Sequence, residues 1–258
     1  MKSDRREFLG CLAALPFLAA AKGARAEGEP EAPEFPVASM ERLAGNVWIA
    51  PIATGIWVTC FTGKLSGVGW YPANGLIVAG EDGATIVDTG WDAAQGKILL
   101  AAALLRTGKV ARAVATHYHG DRTGGIAAMK EAGIPTFANP LSVGLAEAYG
   151  EPVPQPVKGL EKDAVRLGPV ELYFPGAGHS LDNIVVWHPA SRTLFGGCLL
   201  KSSTAKDLGN ARDGNIGAYA STIERVARRY ASRRRTIPGH GTMLGDAIAS
   251  TRTLLAAR

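Results

Sequence analysis

Cysteine is scarce in this chain: three occur in 258 residues, at positions 11, 60 and 198, too few and too scattered for a disulfide framework. No apolar run is long enough for a spanning helix, since the stretch over residues 9–21 is short and interrupted by Pro16. Strong charge of one sign is missing too. The formal net charge is +5, but residues 1–26 hold five basic side chains against two acidic ones, leaving +2 for the rest. Arg228, Arg229 and Arg233-Arg234-Arg235 fall near an expected helix end and suit a solvated face, so no nucleic-acid partner is expected. Histidine is rare as well, with five in the chain, and where those five stand becomes informative.

Residues 1–26 read as an export signal, with a charged start, a short apolar run and a small-residue cleavage site at Ala24-Arg25-Ala26. Ser3-Asp4-Arg5-Arg6-Glu7-Phe8-Leu9 resembles a twin-arginine leader. Cys11 precedes the apolar core instead of following it, which argues against lipidation. The expectation is a periplasmic protein with no membrane attachment after cleavage. Residues 27–41, with Pro30, Pro33 and Pro36, are expected to form a flexible arm, and residues 42–258 a single domain.

Strand-like runs at 47–49, 57–59, 75–79 and 84–88 precede a helix expected over 93–106. Between the second and third runs, residues 60–70 carry a glycine-rich tip suited to a mobile hairpin, with Cys60 as an inert buried thiol. Further helices are expected over 125–132, 140–149, 218–232 and 246–257, with short strands from Val165 onward. Two β-then-α halves predict two sheets packed face to face with helices outside each.

The chemistry gathers where strands stop. Thr116-His117-Tyr118-His119-Gly120-Asp121-Arg122 follows an apolar run and sets three metal-capable side chains at i, i+2 and i+4. His179 lies in Pro175-Gly176-Ala177-Gly178-His179-Ser180, Cys198 ends Thr193-Leu194-Phe195-Gly196-Gly197-Cys198, and His240 lies in Pro238-Gly239-His240-Gly241. Four segments thus offer six ligands: His117, His119, Asp121, His179, Cys198 and His240. That is too many for one tetrahedral zinc and suits two ions with three protein ligands each, leaving positions for water and substrate, as in a catalytic centre. His188 has no partner motif and reads as an ordinary strand-end residue.

This pattern resembles the class B metallo-β-lactamases of the B-one type. The likeness extends to Tyr71-Pro72-Ala73-Asn74-Gly75, Val87-Asp88-Thr89-Gly90-Trp91, His179-Ser180-Leu181-Asp182-Asn183, Gly196-Gly197-Cys198-Leu199-Leu200-Lys201 and Asp207-Leu208-Gly209-Asn210, and covers roughly residues 42 to 258.

The resemblance implies a four-layer αβ/βα sandwich and two Zn2+ ions, one on His117, His119 and His179, the other on Asp121, Cys198 and His240. It implies hydrolysis of the β-lactam amide of penicillins, cephalosporins and carbapenems by a metal-bound hydroxide, conferring antibiotic resistance. Asp121 would orient the hydroxide, Lys201 would pair with the substrate carboxylate at the mouth of the second site, and the Asn210 amide would polarise the lactam oxygen. The partner would be a small-molecule β-lactam and the enzyme a monomer. Thioester and phosphoester hydrolases on the same scaffold typically carry histidine after the motif aspartate and a bridging aspartate where this chain has Cys198, so Arg122 and Cys198 argue against them. A non-catalytic zinc-binding protein is the alternative of another class, against which Lys201 speaks.

Overall fold

Alternation along the strands sorts the apolar residues into layers. In β3 (Ile56–Leu65) and β4 (Gly69–Val78), Ile56, Val58, Leu76 and Val78 face a core shared with a second sheet, while Trp57 and Ile77 face outward onto helices. A computed structural model describes residues 35–258 of the protein; the expected leader lies outside them.

The first sheet runs β1 (Glu41–Ala44), β2 (Val47–Ala53), β3, β4, β5 (Ala84–Val87), β6 (Val110–Val114), β7 (Thr136–Ala138) and β8 (Gln155–Pro156) in sequence order. Its first five strands are antiparallel and joined by tight turns; from β5 onward the strands are parallel and need helical crossovers. Helix α1 (Ala93–Thr107) makes the first crossover, with the Asp92 side chain accepting from the Gln95 N–H at its start and Gly108, at φ 73°, ending it. The short α2 (Gly120–Thr123), then α3 (Ile126–Glu131) and α4 (Pro140–Tyr149), make the others. The second sheet has the order β13 (Arg235–Pro238), β12 (Thr193–Gly197), β11 (Val185–His188), β10 (Val170–Tyr173), β9 (Val165–Leu167), with only β12 and β13 parallel, joined through α5 (Ile216–Arg229). Helix α6 (Ala247–Ala256) ends the chain.

Phe195 and Ile237 of the second sheet meet Val87 and Val114 of the first in the central core. Leu100 and Met129 cover the outer face of the first sheet, and Ile223, Val226 and Ile248 that of the second. The result is the expected four-layer sandwich of two mixed sheets with helices outside.

One local expectation is corrected. Residues 35–40, the end of the stretch expected to be a loose arm, pack onto the domain: the Phe35 ring lies 5.4 Å from Trp48, Val37 and Met40 join the central core, and Met243 N–H donates to Pro36 O. Their apolar side chains, interleaved with proline, find a surface to cover. The hairpin expected over 60–70 is present, with β3 and β4 paired from Ile56 opposite Val78 to Leu65 opposite Gly69. Gly63 serves contact with a side chain: a Cβ there would fall 2.4 Å from the Trp91 ring. Cys60 lies free and fully buried in β3, with its thiol pushed up to about 12 by burial.

Strands β5, β6, β10, β12 and β13 all end at one edge of the sandwich, and their following turns form the site.

Candidate metal centre

The turn after β6 delivers His117, His119 and Asp121, and α2 begins inside it, with His119 as its N-cap residue. His117 Nε2 stands 3.0 Å from His119 Nδ1, and the rings of His117 and His119 lie 4.9 and 5.3 Å from that of His179, which arrives from the turn after β10. One ligand atom from each of these three histidines falls within 4.8 Å of the others. Beside them, Cys198 Sγ is 3.0 Å from His240 Nε2 and 3.8 Å from Asp121 Oδ2, and Asp121 Oδ2 is 3.4 Å from His240 Nε2. Bonds of 2.0–2.3 Å at tetrahedral angles require donor atoms about 3.3–3.8 Å apart, so this triangle is close to zinc-sized. All six predicted ligands are therefore brought together, as two adjoining triads. His117 adjoins both, since its ligand atom also groups with those of Asp121 and Cys198.

Electrostatics keep the nitrogen donors free. Burial, reinforced by neighbouring histidines and cations, holds the pKa values of His117 and His179 well below the ordinary range, and burial beside Arg122 brings His240 down to about 3. Neutral imidazole is the form that binds a metal. Two tautomers are set by partners. His240 Nδ1 donates to Pro72 O at 2.6 Å, leaving Nε2 as the free donor atom, and Asp213 Oδ2, 3.2 Å from His119 Nε2, leaves Nδ1 for a ligand. Both ring nitrogens of His179 are buried with no hydrogen-bond partner among the described residues, an arrangement that costs free energy unless something binds there. Burial pushes the Cys198 thiol up to about 12, against the pull of Arg122; a bound cation reverses that and takes the thiolate. The donor set, four imidazoles, a carboxylate and a thiol, fits zinc.

Arg122 is the residue whose role sequence reasoning missed. It is fully buried beneath the Asp/Cys/His triad. Its Nη2 lies 2.6 Å from Asp121 Oδ2, 2.9 Å from Cys198 Sγ and 3.1 Å from His240 Nε2, and donates to Gly239 O; its Nη1 donates to Asn74 O and Asp88 Oδ2. Burial works to raise the Asp121 pKa, but Arg122 and His240 overcome it and hold the carboxyl below the usual range. Asp88, at the end of β5 with φ 61°, accepts from the Thr116 N–H and hydroxyl, bracing the turn that carries His117; burial still pushes its carboxyl up to about 6. Asn74 Nδ2 donates to Pro238 O and Gly241 O on either side of His240. Asp182 accepts from Tyr118 N–H and Ser142 Oγ, tying the His179 turn to the first one.

Lys201 lines a cleft of about 530 Å³ together with Trp70, Tyr71, Pro72, His240 and Gly241, but it is only 8 % exposed and so forms part of the wall. Burial lowers its pKa. Asn210 is not among the residues lining that cleft. It is exposed, and its side-chain oxygen receives only the Arg212 N–H, at 3.5 Å. His188 ends β11 and meets Ser191 Oγ, apart from the cluster.

The sequence profile described as the metallo-beta-lactamase superfamily matches residues 68–240. The chain belongs to that family. It is 37% identical over 207 residues to a metallo-beta-lactamase type 2 of Bacillus cereus, covering 78% of this chain and 79% of that one, and 33% identical over 217 residues to a metallo-beta-lactamase type 2 of Bacteroides fragilis, covering 80% and 86%. Among solved structures, a metallo-beta-lactamase from Erythrobacter litoralis with beta-mercaptoethanol in its active site superposes with a TM-score of 0.80 at 34% identity, covering 85% of this chain and all of that one. The enzyme is thus a hydrolase with a zinc-binding site, and its two sheets and helices match the fold of these relatives. No helix among the described residues is long and apolar enough to cross a membrane.

Proposed function

We propose that the enzyme hydrolyses the β-lactam amide bond of penicillins, cephalosporins and carbapenems with two zinc ions per chain, acting in the periplasm as a monomer. The observation that carries this reading is the pair of adjoining ligand triads, beside a cleft that His240 lines together with a lysine. One ion would be held by His117 Nε2, His119 Nδ1 and His179, the other by Asp121, Cys198 and His240 Nε2. When bound, zinc supplies a Lewis acid that polarises a carbonyl oxygen and brings water to its nucleophilic form near neutral pH.

The side chains do the rest. Asp121, kept ionised by Arg122, is an acceptor that can orient an attacking water, and its burial keeps bulk solvent from competing. Lys201 offers the cation for the carboxylate that β-lactams carry beside the ring. Tyr71, Pro72 and Trp70 give the cleft an apolar side against which the substrate body can lie. No side-chain nucleophile is needed, so no acyl-enzyme should accumulate. Export is inferred from the leader-like residues 1–26.

The test is metal content measured alongside a β-lactam hydrolysis panel that includes nitrocefin and a carbapenem. Two zinc ions per chain with turnover lost to chelator and restored by zinc is the expected outcome. Turnover that survives exhaustive dialysis against chelator, or none on any β-lactam, would overturn the assignment.

A further inference from the structure

The imidazole of His179 has no hydrogen bond at either ring nitrogen, whereas His117, His119 and His240 each have one that helps fix the ring. A ligating histidine is normally aimed through its second ring nitrogen. With no hydrogen bond there, the direction of His179 comes from its backbone, helped only by edge contacts with the His117 and His119 rings. That backbone is held closely: four successive carbonyls leading into His179 each accept a hydrogen bond. Pro175 O accepts from Arg225 Nε, Gly176 O from Asn183 Nδ2 at 2.9 Å, Ala177 O from Thr222 Oγ1 at 2.6 Å and Gly178 O from the Asn215 N–H at 2.9 Å.

Three of those four donors belong to α5 or its N-cap residue. Arg225 Nη2 also donates to Thr222 Oγ1 at 2.9 Å, so the two side chains form one unit. Thr222 is fully buried. Gly176 sits at φ +111°, and a Cβ there would come within 2.5 Å of Arg225 Nη2, so the turn is shaped to receive this pair. One helical turn earlier on the same face, Tyr219 donates its hydroxyl to Leu199 O at 2.7 Å, next to Cys198.

We propose that Thr222 and Arg225 are positioning residues that aim His179 at the metal, making α5 the clamp of the three-histidine site. The inference rests on the two-zinc reading above. Removing the Thr222 hydroxyl strips Ala177 O of its donor and releases Arg225, and no ring hydrogen bond remains to keep His179 in place. His240, pinned by Pro72 O, should be indifferent to the change.

The test is cobalt titration of the metal-free protein. The thiolate-to-cobalt charge-transfer band reports the Cys198 triad, and the remaining d–d absorption the three-histidine triad. In Thr222→Val, cobalt affinity of the three-histidine triad should fall by about ten- to a hundredfold, the usual effect of losing an outer-shell partner, with the thiolate band titrating within about twofold of native. Thr222→Ser should restore native titration. Should Thr222→Val fail to fold, Arg225→Gln removes the other half of the clamp with the same expected split. Native titration in the Val variant, or equal weakening of both triads in step with a lowered melting temperature, would overturn the inference. If the native protein itself took up no cobalt or gave no thiolate band, the two-zinc reading would fail first, and the inference with it.

Discussion

The two triads stand side by side yet are assembled in opposite ways. Asp121, Cys198 and His240 surround a buried guanidinium, so part of the positive charge their ion would bring is already supplied by Arg122. His117, His119 and His179 surround no such guanidinium; their rings meet edge to face, and one of them has no hydrogen bond at either ring nitrogen. The difference teaches that one site is organised by electrostatics before any metal arrives, whereas the other relies on backbone turns to keep lone pairs converged. Loss of charge should injure the first, and loss of geometry the second.

The largest effects come from deleting a ligand on either side. His119→Ala and Cys198→Ser should each lower turnover by more than the roughly 10–100-fold expected for an outer-shell partner, with the circular dichroism of the fold retained. Zinc analysis sharpens the comparison. Cys198→Ser should keep the three-histidine ion and His119→Ala the other. If either variant lost both ions, the triads would be one coupled unit.

Next is Arg122→Met. Breaking a buried charge pair by removing one partner costs about 3–5 kcal/mol, because the other charges stay buried. Both Asp88 and Asp121 lose their cation here. Urea unfolding of the metal-free variant should show a loss of that order, largely recovered when zinc binds the Asp/Cys/His triad. No recovery with zinc would mean that Arg122 braces the turns and does not stand in for charge.

Acid should weaken both triads together in the metal-free enzyme. His117, His179 and His240 are forced neutral by burial, with folded pKa values below the unfolded value of about 6.5, so the unfolded state binds more protons and stability falls as pH drops below about 6.5. Asp88 acts in the opposite sense. Its carboxyl, raised to about 6, lets the folded state gain protons first as pH falls from about 6 towards 4. Asp182, its carboxyl likewise raised by burial, adds to Asp88. Three histidines outweigh two carboxylates, so the melting temperature should decline steadily from pH 7.5 to 5. A rise over that interval would show that the carboxylates dominate.

Lys201→Ala has a smaller effect, on substrate alone. Losing one charge-assisted partner should raise KM about tenfold for substrates bearing the ring carboxylate, with kcat nearly unchanged. An unchanged KM would remove the lysine from substrate binding.

How much of this was legible in the sequence follows from the same division. Ligands that follow a strand and sit in Gly/Pro turns are readable, because a strand end fixes where the next residues point; all six were found that way. The β-then-α halves were readable too, since period-2 and period-3.6 patterns are local, and the main helices start and stop within three residues of their expected bounds. Arg122 was not, because an arginine is ordinarily a surface residue and only tertiary packing turns this one inward. Asp88, Asp182 and Asp213 were invisible as partners for the same reason: each is matched to a group from a distant segment. The docking of residues 35–40 is not legible because the glutamates and prolines of the whole stretch 27–41 outweigh Phe35, Val37 and Met40 in composition, although contacts are made by side chains and not by averages.

Asn210 gives the smallest expected effect and separates the last of the sequence-based roles from what surrounds the triads. An amide placed to stabilise a developing oxyanion is worth about 10²–10³ in kcat when removed. That magnitude requires a donor shielded from water and held at the reacting oxygen. Asn210 has neither property: it is exposed, lies outside the residues lining the cleft, and is engaged only with its own loop. A surface substitution of this kind usually shifts stability by no more than about 0.5 kcal/mol. Asn210→Ala should therefore leave kcat within about twofold of native, an energy difference of roughly 0.4 kcal/mol on the scale where tenfold is 1.36 kcal/mol. A hundredfold loss would mean that the loop carrying Asn210 folds over the bound substrate, and that the three-histidine side borrows its oxyanion donor from that loop.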